Sequence, residues 1–434
     1  MNWLQRRVER FFPNAGYYGW TIVGVGMCCS ALSSPGQSFA LSLYIEHLID
    51  DLGFTRVGLS SLYAAATLGA ALALPMLGVL ADRTSARKFI VTILLGMGAA
   101  MLLLSQAQGF VTVAIALVAL RLLGQGAIGL GTLTATVRWF LHYRGRALAV
   151  VALGYALGEL IFPGLIVALT SWLGWRGSLI ALAALYVIIA APLAARYLRE
   201  RLPDDQLIDG APLDSSPVDM TCAVVERDFS LGASLRTTTF WSMLLVVSVS
   251  PMLLTAVIFH QVALFDTRGW GASLVPTAFA AYAVAGVLVT YGAGLVLERV
   301  PVRFGVTISL LFAVAGLVWY EWGAGGLAGA LIYGTLLGTS SAIAGATNAL
   351  VWPEYFGIRA LGALKGVVNG VRNGATAAGP VLVAMLASAG SFSHGLLALA
   401  AIAAISAVGA LFILPPPVVA ERNGQEREAF GRAA

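Results

Sequence analysis

Gly78-Val79-Leu80-Ala81-Asp82-Arg83-Thr84-Ser85-Ala86-Arg87-Lys88 joins two long apolar runs through a short loop carrying one acid and several bases at fixed spacing. The pattern returns later in the chain. Gly78, Asp82, Arg83 and Arg87 match Gly294, Glu298, Arg299 and Arg303, each pair 216 positions apart. A second anchor, Trp139, Arg146, Ala147 and Leu148, recurs as Trp352, Arg359, Ala360 and Leu361, each pair 213 apart. Single matches at Gly or Arg are cheap, but a kept order across two loops between corresponding apolar runs is not. The chain reads as an internal duplication.

Composition says where the duplicated unit resides. Hydrophobic residues make up 59% of 434 positions, 11% are charged, and mean hydropathy is +0.86. A water-soluble domain is nearer half apolar and a quarter charged, so most of this chain must face lipid or other membrane helices. The 49 glycines suit helices that approach closely in lipid. Cys28, Cys29 and Cys222 have neither metal nor disulfide spacing, and no metal or cofactor is expected. The first apolar run, from Tyr18, is too long for the core of a signal peptide and reads as an uncleaved first span.

About 20 apolar residues cross a bilayer core. Spans are predicted at Tyr18–Ile45, Val57–Leu80, Phe89–Ser105, Phe110–Trp139, Ala147–Trp172 and Gly177–Ala195. The second set is Phe240–Phe265, Ala272–Val296, Val302–Tyr320, Gly326–Val351, Leu361–Ala387 and His394–Leu414. The expected fold is all-α, with twelve transmembrane helices in two pseudo-symmetric six-helix bundles. The organisation is residues 1–195, a flexible linker at 196–239, residues 240–414 and a tail at 415–434. The linker carries Pro203, Asp204, Asp205 and Asp209 and has no apolar period. With the N-terminus cytoplasmic, 20 of the 26 Lys and Arg fall on the inner side. Arg56, Arg176 and Arg268 fall outside, and Arg121, Lys365 and Arg372 lie within spans. The bias places both termini in the cytoplasm and the protein in the cytoplasmic membrane, and turns the basic charge away from nucleic acid. A single chain is the expected functional unit.

The 78–88 loop resembles the loop signature of the major facilitator superfamily, and Arg121, Gly124 and Gly126 are similar to its fourth-helix motif. Trp139-Phe140 with Arg144, Ala147, Gly154 and Gly158 resembles the fifth-helix signature of monocarboxylate transporters and their oxalate/formate-antiporter relatives. Tyr18-Gly19-Trp20 and Gly174-Trp175-Arg176 agree with that branch. The superfamily resemblance covers nearly the whole chain; the branch resemblance rests on about one helix. It implies two parallel six-span repeats with a substrate site near the midplane between them. One departure stands out. The branch carries a substrate-facing Arg in its eighth span, whereas Ala272 to Val296 contains no basic residue. A carboxylate would need another cation.

Ionisable groups inside a membrane are costly and so are functional candidates. Lys365, Asn369, Arg372 and Thr376 are spaced 4, 3 and 4 apart, which places them on one helix face. At 1.5 Å per residue, Arg372 lies roughly 20 Å from the cytoplasmic start of its span. A guanidinium at that depth suits a carboxylate through two charge-assisted hydrogen bonds; the bland alternative is packing against helix-end carbonyls or an unseen acid. The repeat sets Glu159 at the offset of Arg372, with Tyr155 one turn before it. A carboxyl kept from water favours its neutral form, so Glu159 could take up a proton and couple transport to the proton gradient. Its alternative is a permanent ion pair with Arg121.

Arg121 begins a second stripe with Gln125, Thr132 and Thr136. The resemblance assigns this Arg to proton coupling or gating; structural pairing is the other reading. Arg372, Asn369, Tyr155 and Gln125 are the expected substrate contacts. Asp82, Arg83, Arg87, Glu298, Arg299 and Arg303 are expected to form an ionic latch, against the simpler reading of tight turns under the positive-inside bias.

His260 reads as a capped interfacial side chain rather than a proton carrier. Pro35 and Pro380 are expected to bend helices. Trp172, Trp175, Trp270 and Trp322 are expected at the membrane interface. Gly124-x-Gly126-x-x-Gly129 fits a dinucleotide fingerprint only nominally, since no strand precedes it, and reads as helix packing. No nucleophile–base arrangement appears, so an enzyme is not expected.

The leading expectation is a proton-coupled carrier of a small organic anion, a monocarboxylate in the first instance. The alternative is a proton-antiport exporter of drugs or metabolites. Exporters of this superfamily show G-x-x-x-G-P in the fifth span, where this chain has Gly154, Gly158 and then Glu159. A non-transporting sensor is the third class, but no signalling domain is evident.

Overall fold

The computed structural model describes residues 18–140, 144–199, 229–297, 300–357 and 361–415, and among them every regular element is a helix. In the first half these are α1 (Tyr18–Ala31), α2 (Ser38–Leu52), α3 (Arg56–Arg83), α4 (Ala86–Ser105) and α5 (Phe110–Leu120). α5 continues through a π-helical turn, Arg121–Ala127, into α6 (Ile128–Trp139). Next comes α7 (Arg144–Ala184), then a π-helical stretch (Leu185–Ala190) and α8 (Ala191–Tyr197). The second half has α9 (Leu231–Leu235), α10 (Thr238–Phe259), α11 (Gln261–Thr267), α12 (Val275–Leu297), α13 (Val302–Trp322), α14 (Gly326–Phe356), α15 (Leu361–Ala389) and α16 (Phe392–Phe412). Joined end to end where they continue one another, they make the twelve spans of two six-helix bundles.

The joints have local causes. Pro35 sits in a short 3-10 turn, Ser34–Gly36, that divides the first span and lets α2 run on to Leu52, beyond the Ile45 end expected from the apolar run. Pro cannot donate to the helix ladder, and the break falls on it. α7 holds two spans, divided where Gly174 takes φ of 69°, a left-handed conformation that favours Gly. Pro380 lies inside α15, and its carbonyl accepts a hydrogen bond from His260 Nε2 at 2.9 Å. Within the stretch expected to be aperiodic, Leu231–Leu235 is helical because Ser230 Oγ caps the Ala233 N–H and the Phe229 N–H donates to the Phe356 carbonyl.

The repeat seen in the loops is also a repeat of contacts. Trp139 lies against Tyr18, at the start of the first span, and Trp352 against Phe240, near the start of the seventh, both with ring centroids 5.5 Å apart. Small residues hold the bundles together. A Cβ at Gly154 would collide with the Met27 carbonyl oxygen, and one at Gly158 with Ser34 Oγ, so α7 lies directly on the first span. Gly124 meets Gly36 Cα, Gly126 meets Leu74 and Gly129 meets the Tyr155 hydroxyl, which accounts for the Gly-x-Gly-x-x-Gly pattern as packing. In the second half, Gly334 and Gly338 of α14 abut the Ala278 and Tyr282 carbonyls of α12.

Such contacts leave no room for a methyl group. Gly154→Ala is expected to destabilise the protein by about 3 kcal/mol. Gly164→Ala, where a Cβ meets nothing within 4 Å, should shift stability by less than about 1 kcal/mol. Thermal unfolding of the two variants in detergent checks the contrast; equal melting temperatures would remove the packing argument.

The two bundles meet across α3 and α15 and across α7 and α12. Three ring contacts join them at the end opposite the Arg-rich loops: Phe39–Phe279 with centroids 5.8 Å apart, Tyr63–Phe259 at 4.4 Å, and Arg56 5.3 Å above Phe392. Arg56 is itself held by a bidentate pair with Glu46, at 2.6 and 2.7 Å. Between the bundles a cleft opens toward the Arg-rich end.

The four tryptophans expected at the interface differ in burial. Trp172 is 86% and Trp322 66% exposed, but Trp175 and Trp270 are buried. The Trp175 Nε1–H donates to Asp51 Oδ2 at 2.7 Å, and Trp270 packs among Phe265, Tyr320 and Tyr333. An indole N–H that finds a partner can be buried as readily as it can anchor. His260 is likewise buried, between the Phe259 and Phe392 rings.

Candidate functional site

A central cavity of about 400 Å³ lies between α7, α12 and α14. Its polar lining is Tyr155 and Glu159 from α7, Tyr282 and Thr290 from α12, and Ser341 from α14; the rest is Ala, Gly, Val and Leu. The Tyr282 hydroxyl donates to Ser341 Oγ at 2.7 Å. Ala149, Ala152, Thr290 and Gly345, toward the Arg-rich end, are exposed, whereas Ala283 and Ala342 are buried. The cavity is therefore a funnel open at that end. Glu159 is half-buried and makes no hydrogen bond or ion pair among the described residues.

A second cavity of about 150 Å³ lies between α3, the π-helical turn after α5, and α15. It is lined by Thr67, Arg121, Gln125 and Asn373 with Ala70, Ala71, Leu74, Leu122 and Gly126. Arg121 is 1% exposed. Its Nε donates to Thr67 Oγ1 at 3.1 Å, its Nη1 to the Gly36 carbonyl at 3.0 Å, and its guanidinium carbon lies 4.7 Å from the Tyr63 ring centre. The ion pair with Glu159 is thus not formed. The Pro35 break matters here, because it frees the Gly36 carbonyl to receive Arg121.

Arg372 is half-buried on α15 and makes no hydrogen bond or ion pair among the described residues; its Nε is buried without a partner. Asn369 is exposed and Lys365 half-buried. Neither Arg372 nor Asn369 lines either cavity. The structure therefore distributes the expected site: Tyr155 with Glu159 in the first cavity, Gln125 with Arg121 in the second, and Arg372 with Asn369 on the helix bordering the second. The remaining stripe residues Thr132 and Thr136 do not face water; both are buried and bond carbonyls of their own helix.

Of the expected latch, Arg83 and Arg87 are exposed, and Arg303 Nη1 reaches the Leu411 carbonyl at 3.4 Å. The Asp82 side chain and residues Glu298 and Arg299 lie outside the described residues. A cation that sequence reasoning passed over does bind a helix end: Arg138 donates to the Ala81 and Thr84 carbonyls, each at 3.3 Å. Cations suit helix C-termini, and its position at the end of α6 was the available signal. Tyr282, Ser341 and Asn373 were also missed; Ser341 follows Thr339 and Ser340, and Asn373 follows Arg372.

Twelve apolar spans in two bundles around a cleft with unpaired ionisable groups define a class: a polytopic helical membrane carrier. The chain belongs to the Major Facilitator Superfamily, whose family model matches residues 26–373, and is a membrane transporter of that family. No curated protein matches the chain in sequence. Among solved structures it is similar to a bacterial homologue of the human lysosomal transporter Spinster, in an inward-facing and occupied conformation. The TM-score is 0.68 at 14% identity, over 92% of this chain and 97% of that one. The same homologue in an inward-facing, unoccupied conformation gives 0.65 at 16% identity, over 91% and 95%. At such identities the likeness shows the fold alone.

Proposed function

We propose that this transporter carries a small organic anion across the cytoplasmic membrane together with a proton, by alternating access. The carrying observation is the charge inventory within the spans. Arg121, Lys365 and Arg372 are basic, Glu159 is the one acid at comparable depth, and Glu159 pairs with none of them. A guanidinium cannot shed its charge, and an unpaired cation in a membrane interior calls for an anion. Arg372 and Asn369 are the proposed contacts on α15, and Tyr155 and Gln125 the proposed contacts from the first bundle. A monocarboxylate is the simplest cargo, as the fifth-helix resemblance suggests. Glu159 is the proposed proton site, since protonation neutralises it without disturbing any ion pair. With the Arg-rich end cytoplasmic, the open funnel corresponds to an inward-facing state, closed outside by the Phe39, Tyr63 and Arg56 contacts.

The test is uptake of lactate, pyruvate, formate or oxalate into liposomes containing the purified protein, driven by an imposed pH gradient. Saturable uptake that collapses with a protonophore is expected. Uptake no faster than in protein-free liposomes for all four removes the anion reading.

One observation favours the antiport alternative: the larger cavity holds a carboxyl, two tyrosines, the hydroxyls of Thr290 and Ser341 and otherwise apolar side chains, with no basic residue in its lining. That chemistry suits an apolar organic cation. The same liposomes with tetraphenylphosphonium and the gradient reversed decide between them. Gradient-driven movement of the cation, with none of the carboxylates, would select the exporter.

A further inference from the structure

We propose that the smaller cavity, between α3, the π-helical turn and α15, is a binding site for a small monovalent anion held by Arg121, Gln125 and Asn373. It rests on the anion-carrier reading only for whether that anion is the cargo.

Arg121 is the reason. Its Nε and Nη1 are committed to Thr67 Oγ1 and the Gly36 carbonyl, and its Nη2 is buried without a partner. All its partners are neutral: a hydroxyl, a carbonyl and a ring. The permanent charge is held in place but not compensated. The Thr67 hydroxyl donates to the Tyr63 carbonyl, so its role is to orient the guanidinium rather than to bind a ligand.

The rest of the lining fits the missing counter-charge. It contains no acid, and Gln125 and Asn373 supply amide N–H donors that suit an anion. Gln125 is exposed, which gives the site a way in from solvent. The volume, about 150 Å³, equals the liquid share of about five waters at ~30 Å³ each. That admits formate, acetate, chloride or nitrate and excludes bulky anions. The turn that carries Arg121 and Gln125 is π-helical, a local widening frequent at functional sites.

The site also spans the two bundles. Arg121 and Gln125 belong to the first, Asn373 to the second. An anion bridging them favours whichever state brings these groups together, so occupancy biases the conformational equilibrium.

Thermal unfolding of the full-length protein in detergent tests this, at constant ionic strength with gluconate as the bulky background anion. Formate, acetate, chloride and nitrate are titrated separately. At least one is expected to raise the wild-type Tm saturably by about 2–4 °C. A response to carboxylates alone marks a site selective for organic anions; a response to chloride and nitrate as well marks one open to any small monovalent anion.

Asn373→Asp places a tethered carboxylate in the cavity and should abolish the rise while melting no lower than wild type in gluconate. Asn373→Leu, which removes the amide without adding charge, should also lose the rise and covers the case in which the Asp variant misfolds. Arg372→Gln should keep it. The site is overturned if no anion raises the wild-type Tm, if both Asn373 variants respond as wild type does, or if the response disappears only in Arg372→Gln. A rise that Asn373→Asp abolishes, in a protein that takes up no organic anion in liposomes, leaves the site standing and the carrier reading fallen. Uptake with a rise indifferent to Asn373 does the reverse.

Discussion

Arg372→Gln is expected to reduce pH-gradient-driven anion uptake by about 30-fold or more, with the protein still folded. Removing one member of a buried, hydrogen-bonded charge pair costs about 2 kcal/mol at the least, and about 1.4 kcal/mol is a tenfold change. Stability should survive because Arg372 makes no hydrogen bond or ion pair among the described residues, so the variant breaks no contact of the unliganded fold. Removing an uncompensated charge from within the membrane is, if anything, favourable. Arg372→Lys keeps the charge but loses the planar fork that holds a carboxylate at two points, and should fall between wild type and Gln. Initial uptake rates over a range of substrate concentrations, with a melting curve on each variant, read both effects. Wild-type uptake by a folded Arg372→Gln protein would strip this residue of its binding role.

For Glu159→Gln the expectation is loss of gradient-driven net uptake by about tenfold, the factor that one unit of pH makes in protonation. Exchange of anion for anion should persist. The amide mimics the protonated carboxyl, so the variant is locked in the neutral form and can load cargo without carrying a proton. The sign follows. Wild-type uptake should rise as the pH on the loading side falls, because protonation of Glu159 accompanies loading, while the variant should be flat with pH. Counterflow of labelled against unlabelled substrate, beside net uptake at several pH values, separates the two activities. An unchanged pH dependence in the variant would assign Glu159 to structure. The absence of an ion pair to Arg121 makes this prediction sharp, since the variant breaks no contact that Arg121 makes with Gly36, Thr67 and Tyr63.

Much of the candidate site was legible because ionisable residues in apolar spans are few and expensive. Arg121, Glu159 and Arg372 stand out on that ground alone. Their arrangement was not legible. Helical spacing shows that Lys365, Asn369, Arg372 and Thr376 share a face, but not which neighbour that face meets. Equal depth made Arg121 and Glu159 look like partners. In the fold, Arg121 turns toward the break in the first span and Glu159 toward α12 and α14. Asn373, adjacent to Arg372 in the chain, proved to line the cavity that Arg372 does not.

What the sequence by itself determined is the number of apolar spans, their division into two similar halves and the positions of the joints. These follow from local terms: the length needed to cross lipid, the duplicated loop residues, and the backbone limits of Pro35 and Gly174. The glycines at 124, 126, 129, 154 and 158 also announced close packing, though not against what. The tertiary structure alone decided which side chains face the cleft, that the first span lends the Gly36 carbonyl to Arg121, that Trp175 and Trp270 are buried, and which end of the cleft is shut. The physical reason is that in lipid an apolar helix face is equally content against lipid or another helix. Hydropathy therefore sets how many helices cross, while close packing at small residues and the few polar groups set how each is turned.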